Sequence, residues 1–404
     1  MVQLLFLAIA VLIGYVATGP HSGVGAEIKP IVQSHVFSIA AWELHTFTTE
    51  QIPRLFHSKD TSDVQAVVQY FKNAEQERAL ESQMSMAAAG GPGSVPQTQK
   101  ELKALRQEQE AARRTVEAVI EKQIRDTLSE QGIYSPFFNL RFSFPPVDFI
   151  LAMPPQNLVI SPRDRIEAIN ETLLNPDTSL QTAEQIESEI EQLNLSALVT
   201  DIGGLGATLP TFVAEDMDLK YTLSTAVHEW LHQYLAFKPL GFLYVLNEVG
   251  IKQSQDVDDI NETLADIVGN EIGNMVYDKY YRQYENSPSG GEGGTGGQPS
   301  FDFNAEMRKI RKQVDLLLSE GKIDEAEQYM DAMRVYLADH GYYIRKLNQA
   351  YFAFYGTYAD QPTSINPIGA EMKQLRTESV TLKQFLDRAS SLTSRQALQQ
   401  AAGT

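Results

Sequence analysis

The sequence predicts a mainly α-helical, α+β protein with a small β-sheet beside one central helix. Apolar residues recur at helical spacing over much of the 404-residue chain. Prolines punctuate an extended stretch between Phe137 and Ile160. Two segments typical of strands, Ala197–Ile202 and Leu205–Val213, precede the predicted helix Leu219–Phe237. We therefore expect the sheet to lie against this central helix, with additional helical regions before and after it.

Composition limits the kinds of function that this chain can have. Hydrophobic residues make up 43 % of the sequence, enough for a packed core. The formal net charge of −19 argues against binding nucleic acid, which requires a basic surface. The chain has no cysteine, so disulfides and thiolate ligands are excluded. Any metal site must therefore use histidine and carboxylate, a ligand set that suits a catalytic ion better than a structural one.

Residues 1–26 are predicted to be a signal peptide or an N-terminal membrane anchor. Val2–Val16 is almost entirely apolar, and Val24-Gly25-Ala26 has the small residues of a cleavage site. No lysine or arginine precedes the apolar run, which departs from an ordinary signal, and a buried N-terminal helix is the alternative. We expect an exported protein, either secreted or held at a membrane through this segment.

The remaining chain is predicted to form four regions: a helical N-terminal region (27–195), a core (196–285), a Gly/Ser-rich linker (286–300) and a helical C-terminal region (301–404). In the first region, a charged helix at 100–130 presents either a solvated face or a coiled-coil surface for a partner. Ser161-Pro162 is interpreted as the start of a further helix. In the core, Pro239 and Gly241 are expected to end the central helix, and Lys238–Gln255 is predicted to be a connecting stretch. A second long helix follows, Asp256–Tyr281.

The central helix contains the sequence His228-Glu229-Trp230-Leu231-His232. Residues i and i+4 share one face of a helix, so both imidazoles can bind a single metal ion. Glu229, next to the first histidine, lies where it can deprotonate a water on that ion. The alternative interpretation is a pair of core histidines beside a solvated carboxylate.

The second long helix provides candidate partners for this site. Glu262 can supply a third ligand, and Asp266, one turn later, can accept the second N–H of a ligand imidazole. Ala265, Gly269 and Gly273 recur every four residues. Glycine is disfavoured inside a helix by about 1 kcal/mol relative to alanine, so this spacing indicates close packing of the two helices.

The histidine pair with its glutamate, followed by Asn261-Glu262-x-x-x-Asp266, resembles the gluzincin group of zinc metallopeptidases, which includes thermolysin and aminopeptidase N. The resemblance covers about fifty residues and implies a zincin-like catalytic core. The interval between His232 and Glu262 is longer than in thermolysin, so the intervening loop is not transferable. A second similarity, at Leu347–Tyr351, is to a bacterial family of predicted zinc aminopeptidases.

The gluzincin resemblance implies a role for each residue of the motif. His228, His232 and Glu262 would bind Zn²⁺, Glu229 would act as the general base, and Asp266 would orient a histidine. A downstream tyrosine or histidine would stabilise the oxyanion, and the sequence does not choose among the candidates. These candidates are His340, Tyr343, Tyr355 and Tyr358.

The resemblance therefore implies a zinc-dependent metallopeptidase acting on a peptide or protein substrate. Aminopeptidase and endopeptidase activity are both open. An aminopeptidase needs an acidic group for the substrate amine, and Glu215, Asp216 and Asp201 near the glycine-rich strand are candidates. The alternatives are a zinc-binding scaffold without turnover and a zinc hydrolase of non-peptide amides. The sequence does not predict an oligomeric state.

Overall fold

The computed structural model describes residues 25–46, 63–88, 95–136, 144–248, 251, 254–284, 301–357 and 367–403. The apolar N-terminal segment and the predicted linker lie outside these residues, so the export and anchoring prediction is not tested. The predicted class is confirmed, because the structure is 66 % helical with small three-stranded sheets. In the part of the chain that is described, no helix has both the length and the apolar character needed to cross a bilayer.

Fourteen α-helices are defined in the described residues. They are α1 (Gly25–Val32), α2 (Ile39–Thr46), α3 (Val64–Ala88), α4 (Val95–Glu130), α5 (Leu180–Glu191), α6 (Leu219–Leu235), α7 (Pro239–Glu248), α8 (Gln255–Tyr280), α9 (Phe303–Ser319), α10 (Ile323–Asp339), α11 (Gln349–Thr357), α12 (Ile368–Thr377), α13 (Leu382–Ala389) and α14 (Arg395–Ala402). The strands are β1 (Phe149–Leu151), β2 (Gln156–Pro162), β3 (Asn170–Leu174), β4 (Leu195–Thr200), β5 (Gly204–Leu205) and β6 (Thr211–Val213).

The strands form two small sheets. In the first, β6 lies between β1, to which it is parallel, and β5, to which it is antiparallel. This sheet contacts α6, as the sequence predicts. In the second, β2 lies between β3 and β4 and is antiparallel to both. The prediction of a helix starting at Ser161-Pro162 is wrong, because pairing with β4 continues through both residues, as far as Pro162 opposite Leu195.

The stretch predicted to connect the two core helices is also partly helical. Pro239 begins α7, since proline fits the first turn of a helix, where the missing N–H would have no partner in any case. Gly241 is required by packing: a Cβ there would lie 2.2 Å from the backbone of Leu235. Proline and glycine, which at first indicate a helix break, here mark a short helix folded tightly against the end of α6.

The main hydrophobic core surrounds α6 and α8. Val227 and Leu231 of α6 and Leu264 and Val268 of α8 are fully buried. The C-terminal helices α12, α13 and α14 contribute to the same core. The hairpin of α9 and α10 has its own apolar cluster, and α11 packs on β2 and β4 of the second sheet. The residues beside the two histidines therefore belong to the largest hydrophobic cluster among the described residues.

The glycine stripe of α8 faces α6 directly. A Cβ on Gly269 would lie 2.9 Å from the carbonyl oxygen of Ser224 and 3.3 Å from the backbone nitrogen of His228. A Cβ on Gly273 would lie 2.8 Å from the nitrogen and 2.9 Å from the Cα of Ser224. These distances are too short for a side chain, so glycine sets the separation of the two helices, as the four-residue spacing predicts.

We expect Gly273→Ala to destabilise the protein by about 1–3 kcal/mol, although alanine is the better helix former. The added methyl group would meet the backbone of α6, and the two helices would have to separate. Urea unfolding of wild type and variant measures the effect. Asn274→Ala, at the adjacent exposed position, is the matched control and should be neutral or slightly stabilising. Equal stability of Gly273→Ala and wild type would contradict the packing argument.

Candidate metal centre

Local sequence fixes the direction and position of α6. The side chain of Asp218 accepts a hydrogen bond from the backbone N–H of Tyr221 and caps the helix. Helical spacing then places Val227 and Leu231 in the core and turns His228 and His232 toward α8. Because the flank is rigidly packed, the two imidazoles are presented in a defined geometry.

The two histidines and Glu262 converge on one point. Nε2 of His228 lies 3.0 Å from Nε2 of His232. Oε2 of Glu262 lies 3.4 Å from the first of these nitrogens and 3.6 Å from the second. Ligands about 2.0–2.1 Å from a tetrahedral zinc ion are separated by about 3.3–3.4 Å from one another. The three atoms thus have the spacing of three ligands around one ion, and the group can hold a metal ion.

The hydrogen bonding of Glu262 leaves one oxygen available for a cation. Its Oε1 accepts a hydrogen bond from the hydroxyl of Tyr244, whereas its buried Oε2 has no hydrogen-bond donor. Burial alone would raise the pKa of Glu262, but His232 and His228 hold it well below its ordinary value. An ionised, buried oxygen that faces two imidazole nitrogens fits a divalent cation.

Each histidine is oriented from α8 through its second ring nitrogen. Nδ1 of His228 lies 2.9 Å from Oδ1 of Asp266, which accepts its N–H and leaves Nε2 free to bind a metal. Nδ1 of His232 lies 2.9 Å from the side-chain amide of Asn261. The Oδ1 of that amide is buried and has no hydrogen-bond partner. Exchanging the amide oxygen and nitrogen places Oδ1 against Nδ1 of His232, where it accepts the N–H of the ring and leaves Nε2 to bind a metal.

Protonation of His228 competes with metal binding. Burial lowers the pKa of this imidazole, but its interactions with the carboxylates of Asp266 and Glu262 outweigh burial and raise the pKa well above its ordinary value. A proton on Nε2 of His228 would take the position that a cation needs. Because metal binding must displace that proton, affinity for the metal falls as pH decreases.

Tyr244 is a site residue that the sequence interpretation missed. It lies on α7, where only a connecting stretch was predicted. Besides its 2.8 Å hydrogen bond to Glu262, its ring stacks on His232, with centroids 5.4 Å apart and planes 15° from parallel. Tyr244 therefore contacts two of the three ligand residues and fixes their relative positions.

Glu229 lies beside the ligands in a pocket formed by the glycine-rich segment. It is 8 % exposed, and burial raises its pKa, against the opposing influence of His228 and His232. The N–H of Gly206 donates to it. A Cβ on Gly204 would lie 2.5 Å from its Oε1. Gly204 and Gly206 thus give room to the Glu229 carboxylate.

Two of the three acidic candidates for binding a substrate amine have partners for their carboxylates: Glu215 interacts with Arg113 of α4, and Asp201 accepts a 3.0 Å hydrogen bond from Gln156. Asp216 is held through its backbone carbonyl, which accepts from Arg78. The sequence placed these residues near the site only because they are near the glycines along the chain.

The oxyanion candidates lie in the C-terminal region. Tyr343 is 86 % exposed, and the hydroxyl of Tyr355 is 3.0 Å from that of Thr200. His340 stacks on Phe301, with centroids 4.4 Å apart. Tyr358 lies outside the described residues. The structure brings Glu229, Asp266 and the three ligand residues together. Of the described oxyanion candidates, Tyr355 and His340 make contacts elsewhere, and Tyr343 is exposed.

The segment from Gly204 to Leu209, which contacts Glu229, is held in place by the buried carboxyl group of Glu43. Glu43 of α2 is 2 % exposed, and its Oε1 accepts a 2.6 Å hydrogen bond from the N–H of Leu209. Gln233 of α6 donates to the carbonyls of Gly206 and Thr208 in the same segment. Burial raises the pKa of Glu43 to about 7, although the bond to Leu209 opposes the shift.

We expect Glu43 to make stability depend on pH. Its folded-state pKa is above the ordinary 4.5. Its contribution to the free energy of unfolding is therefore fully present below about pH 4.5 and is lost as pH rises through about 7. Glu43→Gln, which stays neutral, should exceed wild type in stability by about 3 kcal/mol at pH 8 and match it at pH 4. Urea unfolding at both pH values tests this, with the exposed Glu27→Gln as control. A difference independent of pH would contradict it.

No protein-family model, no curated protein and no solved structure matches this chain. The fold and the site geometry by themselves define a mainly α, α+β protein with a His-His-Glu group that can hold a metal ion.

Proposed function

We propose that this protein is a zinc metallopeptidase that hydrolyses peptide bonds. One observation carries the proposal: His228, His232 and Glu262 have the spacing of zinc ligands, and the buried carboxyl of Glu229 lies beside them. Two imidazoles and one carboxylate form a common ligand set of catalytic zinc, which leaves a coordination position for water. Thiolate ligands, typical of many structural sites, do not occur in this chain.

Zinc, when bound by these residues, supplies the Lewis acidity that activates water and polarises a carbonyl group. The Glu229 carboxylate accepts the proton of the attacking water and passes it to the leaving amine. Asp266 and Tyr244 keep the ligand side chains in place during this exchange.

The test compares zinc-loaded and zinc-free protein on casein and on a pool of tetrapeptide amides, with products identified by mass spectrometry. We expect cleavage by the zinc-loaded form, loss of cleavage after chelation and recovery on adding zinc. One bound zinc ion per chain without any cleavage would contradict the proposal and favour a scaffold role. Export or membrane attachment through residues 1–26 stays a prediction.

A further inference from the structure

Gln233 of α6 is a buried polar side chain that the proposed mechanism does not use. It is 7 % exposed and lies one helical turn after Glu229, on the same face of the helix. Its Nε2 donates to two backbone carbonyls, that of Gly206 at 3.2 Å and that of Thr208 at 2.8 Å. Its Oε1 makes no hydrogen bond to the described residues. Both hydrogen bonds of this amide are therefore made to one short stretch of chain.

That stretch, from Leu205 to Thr208, is a tight turn. The hydroxyl of Thr208, a residue that is 1 % exposed, donates to the carbonyl oxygen of Leu205 at 3.2 Å and closes the turn from within. The two hydrogen bonds from Gln233 hold it from outside. They come from the same helix that carries Glu229, so the turn and the carboxylate share one support.

The turn contacts Glu229 directly. A Cβ on Gly206 would lie 3.0 Å from Oε2 of Glu229 and 2.8 Å from its backbone oxygen. The N–H of Gly206 donates to the Glu229 carboxylate, while its carbonyl oxygen accepts from Gln233. One peptide residue therefore connects the Gln233 amide to the carboxylate one helical turn before it.

The chemistry of this contact requires an amide. A side-chain NH₂ group supplies two hydrogens, one for each carbonyl oxygen, and a carboxylate in its place would only accept. The orientation of Glu229 matters because misplacing a reacting group by about 1 Å can lower a rate by about 10²-fold. A backbone donor held in a fixed position limits the movement of a carboxylate that must take a proton from water.

Building on the proposed function, we propose that Gln233 is a positioning residue for the general base: its amide holds the turn so that Gly206 keeps the Glu229 carboxylate in the orientation that proton transfer needs. Gln233 acts through Glu229 and is not itself a catalytic residue. Without its amide, the turn loses two hydrogen bonds to α6 and the carboxylate loses a fixed backbone donor.

Gln233→Met tests this role, because methionine is an unbranched side chain with a helix preference like that of glutamine but has no N–H to donate. We expect kcat on a tetrapeptide amide that wild type cleaves to fall about 10–100-fold. KM, and zinc affinity from chelator competition, should each stay within about twofold of wild type. Gln233→Asn keeps an amide one methylene shorter, should lower kcat less, and is the test variant if Gln233→Met does not fold.

The double variant with Glu229→Gln separates positioning from a general structural role. If Gln233 acts through Glu229, adding Gln233→Met to Glu229→Gln should change kcat by less than about twofold. Hydrogen–deuterium exchange of the zinc-free protein gives a measurement without turnover. Peptides covering residues 203–209 should exchange about tenfold faster in Gln233→Met, whereas peptides of α8 should exchange as in wild type.

Gln185→Met on α5 is the matched control, because it makes the same change at an exposed position, where the amide donates to Glu189 at 2.9 Å. It should match wild type in every measurement. Three results would overturn the inference: wild-type kcat in Gln233→Met, the same loss of kcat in the wild-type and Glu229→Gln backgrounds, or a loss of zinc affinity as large as the loss of kcat. These results remove this inference alone, whereas zinc-loaded wild type that cleaves no peptide removes the proposed function and the role of Gln233 with it.

Discussion

Glu229→Gln is expected to lower kcat for peptide hydrolysis by about 10²–10⁴-fold while one zinc ion stays bound. Glutamine has nearly the same shape, so it fits the space beside Gly204 and Gly206. It cannot accept a proton from water, and the proton-transfer step is lost. The measurements are kcat on the tetrapeptide pool and zinc content by mass spectrometry of the same preparation.

Two comparisons make this result specific to Glu229. Glu167→Gln makes the same chemical change at an exposed position and should retain wild-type kcat. The thermal stability of Glu229→Gln should be equal to or above that of wild type, because the variant removes a buried carboxylate whose pKa burial raises. Wild-type kcat in Glu229→Gln would show that another group takes the proton.

Glu262→Gln is expected to have the largest effect on metal affinity. The neutral amide removes the ionised oxygen that faces His228 and His232. The loss of zinc affinity should exceed the ~10–100-fold loss that is typical when a residue hydrogen-bonded to a ligand side chain is removed. Competition with a chelator of known zinc affinity gives the dissociation constant of each variant.

Tyr244→Phe and Asp266→Asn are the matched variants for this series. Tyr244→Phe removes the hydrogen bond to Glu262, and Asp266→Asn removes the negative charge that faces His228. Both variants leave the ligand side chains themselves in place. Both should weaken zinc binding by about 10–100-fold, less than Glu262→Gln. If Glu262→Gln bound zinc as tightly as Tyr244→Phe, Glu262 would not be a ligand.

Local spacing was sufficient to predict the part of the site that lies on two helices. Helix geometry alone places the i, i+4 histidines on one face of α6 and Glu262 and Asp266 on one face of α8. The close approach of these helices was also predictable, because Gly269 and Gly273 repeat at a helical interval. These features need no knowledge of how distant segments pair.

Other parts of the site depend on contacts between distant segments. Glu43 accepts a hydrogen bond from the N–H of Leu209, 166 residues later in the chain, and no local pattern predicts such a contact. Ser161-Pro162 has the local signal of a helix start, but pairing with β4 overrides it. Tyr244 was missed because Pro239 and Gly241 were interpreted as the end of the central helix, whereas Pro239 begins α7.

The central claim is that α6 and α8 hold one zinc ion through two imidazoles and a carboxylate. X-ray absorption at the zinc edge of the zinc-loaded wild-type protein tests it most directly. We predict one zinc ion per chain with four nitrogen or oxygen neighbours at about 2.0–2.2 Å and the scattering pattern of two imidazoles. In His232→Ala the number of bound imidazoles should fall to one. A protein that binds no zinc stoichiometrically, or an imidazole count that His232→Ala does not change, would contradict the account.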